Sequence, residues 1–272
     1  MKHSFGGLAS LTAGPDEVYR RLYKKVAQRN QAYYNKFPED IDRVKTIMNY
    51  LKRFGDGKIK LPSEGTLTRR RFRMLGLAFG GHGGLDSVHD IVLRASYDIE
   101  SFGHLTRGSL SAIDRTMPFD DALIYAILHE PIYCQGQAAK WSAERVMAEY
   151  PEFDLDKTDN GPIYFTGEMI YPWMFEDYSE LQKVRDVAEH LAADSNWPKL
   201  YDEQQLAKNE VPVYAASYVD DMYVDFGLSM ETAEKVKGCK TFTTNVMFHD
   251  ALRSKMDEVV KQAFALRDDV ID

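Results

Sequence analysis

Cysteine is scarce. The 272 residues contain two, Cys134 and Cys239, and neither stands at metal-ligand spacing from other candidate ligands. So little cysteine points to a reduced, cytosolic setting and leaves pairing between the two open. Long apolar runs are absent, and none reaches the length a bilayer-crossing helix needs, so no membrane role is expected. The opening Met1-Lys-His-Ser-Phe-Gly-Gly is not followed by the apolar core of a secretory signal. Positive charge is also short. Thirty-four Lys and Arg stand against 42 Asp and Glu, a formal net charge of -8, which argues against a nucleic-acid groove. Internal repeats and low-complexity tracts are missing. What is present is an ordinary soluble composition, 44% hydrophobic and 28% charged, with 14 Phe, 16 Tyr and 3 Trp to pack. That is enough for one large domain or two modest ones.

From Asp16 onward the pattern is helical. Val18, Leu22, Val26 and Tyr33 form one apolar stripe. Val44, Ile47, Met48 and Leu51 form another before the stop at Gly55-Asp-Gly. Thr68 suits the cap of a helix through Phe72 and Phe79. Further helical segments are read over 85–100, 105–117, 119–129, 141–150 and 181–193. Gly80-Gly-His-Gly-Gly falls among them. It lacks the Lys-Ser/Thr of a phosphate loop and the early strand of an oxyanion loop, so it reads as a turn between helices. Residues 161–178 differ: Glu168 sits among Tyr164, Phe165, Tyr171, Trp173 and Phe175. A carboxylate in such a setting can anchor a cation.

Chemistry concentrates near the end. Val211-Pro-Val-Tyr-Ala-Ala-Ser is a β-rich run leading to Tyr218-Val-Asp220-Asp221. A helix is expected over 229–237, then a second β-rich run from Lys240 that ends at His249. Strand, acid, helix, strand, histidine is the order of the acid–base half of a nucleophilic hydrolase. Asp220, Asp221 and Asp225 also admit a divalent metal, although the intervening residues are less polar than such a loop needs. The nucleophilic half is missing: no Gly-x-Ser-x-Gly occurs. Ser4-Phe-Gly-Gly follows Lys2 where that motif has glycine, and Cys134 lies in the helical region.

Four stretches carry a resemblance. They are Gly14-Pro-Asp-Glu-Val-Tyr-Arg, His129-Glu-Pro-Ile-Tyr-Cys-Gln-Gly, Phe165-Thr-Gly-Glu-Met-Ile-Tyr-Pro-Trp-Met-Phe-Glu and Asp220-Asp-Met-Tyr-Val-Asp-Phe. Over about residues 6–266 the chain resembles the cap and C-terminal part of the proline iminopeptidases, serine peptidases of the α/β-hydrolase superfamily. The resemblance implies an α/β fold, specifically a partial α/β-hydrolase fold with a large, mainly helical cap. Residues 1–15 would be an entry loop, 16–190 the cap and 191–272 the closing part of the catalytic domain. It implies Asp221 as catalytic acid, with Asp220 as fallback, and His249 as general base. Glu168, and less strongly Glu130, would bind the substrate's free amino group. Tyr171, Trp173 and Phe175 would line a proline pocket. No cofactor or metal is expected.

The implied activity is release of N-terminal proline from peptides. The family's early strands, oxyanion loop and serine have no match here, so the chain is expected to be a fragment, a split-gene product or half of an assembled enzyme. Alone it should be weakly active or inactive. Its partners would be proline-leading peptides and a second copy or a complementing N-terminal hydrolase fragment. Two other readings stay open: a non-catalytic interaction module derived from the hydrolase, and an esterase or other α/β hydrolase.

Overall fold

A computed structural model describes residues 8, 10–54, 59–155 and 161–268. The Ser4 elbow-like stretch, the Gly55-Asp-Gly stop and residues 156–160 of the polar loop lie outside those described.

The helical periodicity becomes a helical array. Pro15–Lys36 is its longest member. It starts with Pro at the first turn and Asp16 and Glu17 behind it, both favourable against the dipole. Its apolar stripe, Val18, Leu22, Val26 and Tyr33, is buried as the spacing requires. Asp40–Arg53 buries Val44, Ile47, Met48 and Leu51. The Thr68 side chain accepts from the Arg71 N–H at 3.1 Å and caps Arg69–Arg73. The expected continuation through Phe79 tightens into a 3-10 helix, Met74–Gly80. Gly84–Phe102 follows the glycine-rich turn and ends at Gly103, whose positive φ suits a left-handed C-terminal stop. Shorter helices occupy Arg107–Arg115, Leu123–Leu128, Ser142–Met147 and Arg185–Ala193. One apolar core runs through all of this and reaches Met222 and Leu228 near the C-terminal end.

A small antiparallel pair, Ile59–Lys60 with Thr66–Leu67, was not expected in the turn-rich connector. The C-terminal strands are Val213–Tyr218 and Cys239–Thr244. They pair in parallel, Val213 opposite Cys239 and Tyr218 opposite Thr244. The helix Phe226–Lys235 makes the crossover, and the Asp225 carboxylate caps it through the Leu228 N–H at 2.9 Å. A second, smaller core of Tyr218, Met247, Ala251 and Val259 closes this end. The last helical stretch breaks at Lys255 into Ala251–Ser254 and Met256–Asp268. Val259 turns inward, but Met256, Val260 and Phe264 stay exposed, so it covers less of the sheet than its periodicity suggested.

Candidate active site

Parallel pairing brings the two strand ends side by side, and their exit loops meet. Asp221 leaves the first strand and His249 follows the second. The Asp221 Oδ2 lies 2.9 Å from the His249 Nδ1. Asp221 is only 2% exposed. Its other oxygen accepts the backbone N–H of Tyr223 at 2.8 Å and of Val224 at 3.0 Å. A buried carboxylate is costly unless hydrogen-bonded, and this one is bonded through both oxygens. With Nδ1 facing the carboxylate as donor, Nε2 is left as the free acceptor. Burial of the ring opposes its charge. The Asp221 hydrogen bond and negative charge, joined by Glu168 and Asp250, outweigh it and raise the imidazole above its ordinary value.

The neighbouring acids go elsewhere. Asp220 is half exposed and pairs with Lys25 at 3.2 Å. Asp225 holds its helix cap and meets Arg21 at 3.3 Å. The three carboxylates therefore diverge, and a metal held by all three has no geometric basis. Cys134 and Cys239 are free thiols. Burial, reinforced by the charges of Glu130 and Asp16, pushes the Cys134 thiol up to about 11, far from a thiolate nucleophile.

Glu168 is carried on an extended segment clamped from two sides. Asn30, buried in the first helix, donates to the Phe165 carbonyl at 2.9 Å and accepts the Phe165 N–H at 2.7 Å. On the other side the Thr166 N–H bonds the Arg73 carbonyl at 2.9 Å. Gly76 permits that approach, since a Cβ there would sit 2.2 Å from the Thr166 carbonyl oxygen. The half-buried carboxylate that results hydrogen-bonds the Tyr125 hydroxyl. Its charge is also felt by Tyr133, Tyr223, His129 and His249. Burial, with Glu168 next, pushes the Tyr133 phenol up to about 12. His129 stays a neutral donor. Burial lowers it despite Glu168, and its Nε2 lies 3.2 Å from the Glu168 carbonyl oxygen.

Glu130 occupies a different position. It is 3% exposed, and its two oxygens accept the Ser142 and Ala143 N–H groups at 2.9 and 2.8 Å, at the start of Ser142–Met147. Burial pushes it up to about 7; those two amides and Arg145 work against the rise, and Asp16 adds to it. Tyr171, Trp173 and Phe175 also face inward. The Tyr171 hydroxyl is 2.9 Å from that of Tyr23, Tyr171 stacks on Trp173 at 5.4 Å, and Phe175 meets Trp141 at 5.5 Å. The structure thus joins Asp221 to His249, brings Glu168 within electrostatic reach, and sets Glu130 and the three rings into the core. Tyr125, Tyr133 and Tyr223 were missed by the sequence reading. Tyr125 and Tyr133 lie about forty residues before Glu168 and Tyr223 more than fifty after it; the His129-Glu-Pro-Ile-Tyr and Asp220-Asp-Met-Tyr runs contained Tyr133 and Tyr223, and nothing pointed to Tyr125.

No protein-family model matches the chain. Among curated proteins, proline iminopeptidase aneH of Aspergillus aculeatus is 45% identical over 267 residues, covering 98% of this chain and 58% of that protein. A proline iminopeptidase of Aeromonas sobria is 35% identical over 264 residues, covering 97% of this chain and 60% of that protein. The chain therefore spans less than two thirds of the length of either relative.

Proposed function

The chain belongs to the proline iminopeptidase family, with the partial α/β-hydrolase fold that membership implies, and on that premise we propose that it supplies the acid–base pair and the amine anchor for release of N-terminal proline. Asp221 holds the Nδ1–H of His249 and stabilises the imidazolium that forms. His249 Nε2 takes the proton of an attacking serine hydroxyl and returns it to the leaving peptide amine. Water then hydrolyses the prolyl ester by the same base. The 272 residues contain no Gly-x-Ser-x-Gly, so in this reading serine and oxyanion donors come from outside them, and the chain alone releases little proline.

The observation that carries the proposal is the buried Asp221 carboxylate 2.9 Å from the His249 Nδ1, with Glu168 within electrostatic reach of that imidazole. Glu168 takes the substrate's ammonium group. Tyr125, Tyr133 and Tyr223 stand within reach of its charge, and Tyr171, Trp173 and Phe175, buried on the segment that follows it, are the side chains nearest in sequence for the proline ring. The Tyr19 hydroxyl is buried with no hydrogen-bond partner among the described residues. Burial first, and the charge of Glu130 next, raise its phenol well above the ordinary value. Glu130 acts in this reading as a helix cap near the site.

Binding tests this without needing the nucleophile. Calorimetric titration of the chain with L-prolinamide is expected to show binding that N-acetylation abolishes. Glu168→Gln is expected to weaken binding roughly thirty-fold, the equivalent of about 2 kcal/mol for a charged hydrogen bond. Equal affinity for free and acetylated prolinamide would sink the reading. Substantial proline release by the chain alone, abolished by His249→Ala, would overturn the external nucleophile. The exposed Val211, Val246 and Met256 around the two-stranded sheet favour association with a complementing hydrolase portion or a second copy. Sedimentation of the chain with and without such a portion reads this directly.

A further inference from the structure

The Gly80-Gly-His-Gly-Gly turn has no place in the chemistry above, yet it touches the segments on both sides of the base. Tyr223 makes the first contact. Its backbone N–H bonds Asp221, and its ring meets the His249 imidazole edge to face, centroids 4.8 Å apart at 88°. Its hydroxyl donates to the Leu77 carbonyl, and the Gly80 N–H faces the same phenol oxygen. A Cβ at residue 80 would lie 2.2 to 2.5 Å from three atoms of that phenol. Gly80 is therefore required by close approach, and no positive φ is involved.

The flanks of His249 are held from the same turn. His82 donates its backbone N–H to the Asp250 carboxylate at 3.1 Å, and its Nδ1 lies 2.6 Å from the same oxygen. Phe248 faces the His82 ring at 5.1 Å. Arg29 bonds the Phe79 carbonyl at 2.9 Å and lies over the Phe248 ring at 4.7 Å. The residues before and after His249 are thus tied to 79–82, while Tyr223 braces the imidazole. A hydrogen bond to Asp221 alone leaves the ring free to tilt, and a base displaced by a fraction of an ångström loses its line to a nucleophile.

We propose that Tyr223, seated on Gly80, is a positioning residue that holds the His249 imidazole in line with Asp221, so that the glycine-rich turn of the helical part sets the geometry of the base. This rests on the reading of His249 as base, but its test does not use peptidase activity. The groups facing His249 are Asp221, Glu168 and Asp250 by charge and Tyr223 by its ring.

The test is the titration of the His249 ring nitrogens, followed by long-range proton–nitrogen NMR in the uniformly labelled full chain. Tyr223→Phe keeps the ring and is expected to hold the native midpoint. Tyr223→Leu and Tyr223→Met remove the ring and are expected to lower the midpoint by about one pH unit, as the charged bond to Asp221 loosens. Gly80→Ala pushes the ring away and is expected to do the same. In a Tyr223→Leu background it should add nothing, because both act through one contact. Any ring-free variant that folds with native circular dichroism and keeps the native midpoint overturns the proposal. If neither ring-free variant folds, an unchanged midpoint in Gly80→Ala overturns it, as does a Tyr223→Phe midpoint that falls as far as that of Gly80→Ala. Prolinamide binding by the parent chain, with a midpoint the substitutions leave unmoved, would defeat positioning alone. A midpoint the substitutions move, in a parent chain that does not bind prolinamide, would defeat the peptidase reading alone.

Discussion

Glu130→Gln probes a carboxyl whose ionisation the fold resists. In the native state Glu130 is pushed up to about 7 from an ordinary value of 4.5, with burial as the main cause. The sign follows from which state ionises first. Below pH 4.5 the carboxyl is protonated in both states, and its contribution is intact. As pH rises the unfolded chain ionises first, and stability drains away until the native carboxyl ionises near 7. The gap between the two values, at about 1.4 kcal/mol for each pH unit, makes about 3 kcal/mol lost by pH 8. Glutamine carries no charge, so the variant escapes this loss. It has one oxygen for the two amides of Ser142 and Ala143, which costs about 1 kcal/mol. Urea unfolding of both proteins at pH 5, 6, 7 and 8 provides the assay. At pH 5 the variant should be level with the parent or slightly weaker. By pH 8 the difference should swing about 2 to 3 kcal/mol in its favour. Taking the difference cancels the other titrating groups, which the two proteins share. A difference that stays constant from pH 5 to 8 would refute the assignment of a buried, resisting carboxyl.

Other outcomes follow from the same geometry. In an assembly that releases proline, Asp221→Asn should lower kcat on the order of 10⁴-fold through the wrong His249 tautomer. Asp220→Asn should change it little, because Asp220 faces Lys25; equal losses would mean the acid is misassigned. The raised His249 value makes kcat/KM rise with pH along a limb centred above 6.5, since the base works when neutral. Its contribution to stability has the opposite trend: it is complete below 6.5 and lost as pH rises through the native value. A pH–rate profile beside a pH–stability profile checks both signs. Phe165→Ala should cost about 3 to 5 kcal/mol in chemical unfolding, because that ring is buried among Tyr33, Phe72 and Phe79 beneath the segment that carries Glu168.

Local order was legible in the sequence wherever one segment decides its own structure. Apolar spacing placed the long helices, because Val18, Leu22 and Val26 fall on one face whatever they pack against. Thr68 announced its cap. The order strand, Asp221, helix, strand, His249 already pointed to the pairing of Asp221 with His249, because parallel strands put their exit loops on the same edge. The choice between Asp220 and Asp221 is different. Adjacent residues on an exit loop point in different directions, and only packing sends one to Lys25 and buries the other beside His249. The resemblance implied Tyr171, Trp173 and Phe175 as pocket lining, but density of aromatics in sequence carries no direction. Tertiary structure decided that all three side chains are buried. It brought Tyr125, Tyr133 and Tyr223 to Glu168 from far along the chain, and it capped a helix with Glu130. The glycine-rich turn shows the same division: its flexibility is written in the sequence, but the phenol that needs Gly80 arrives from 143 residues away.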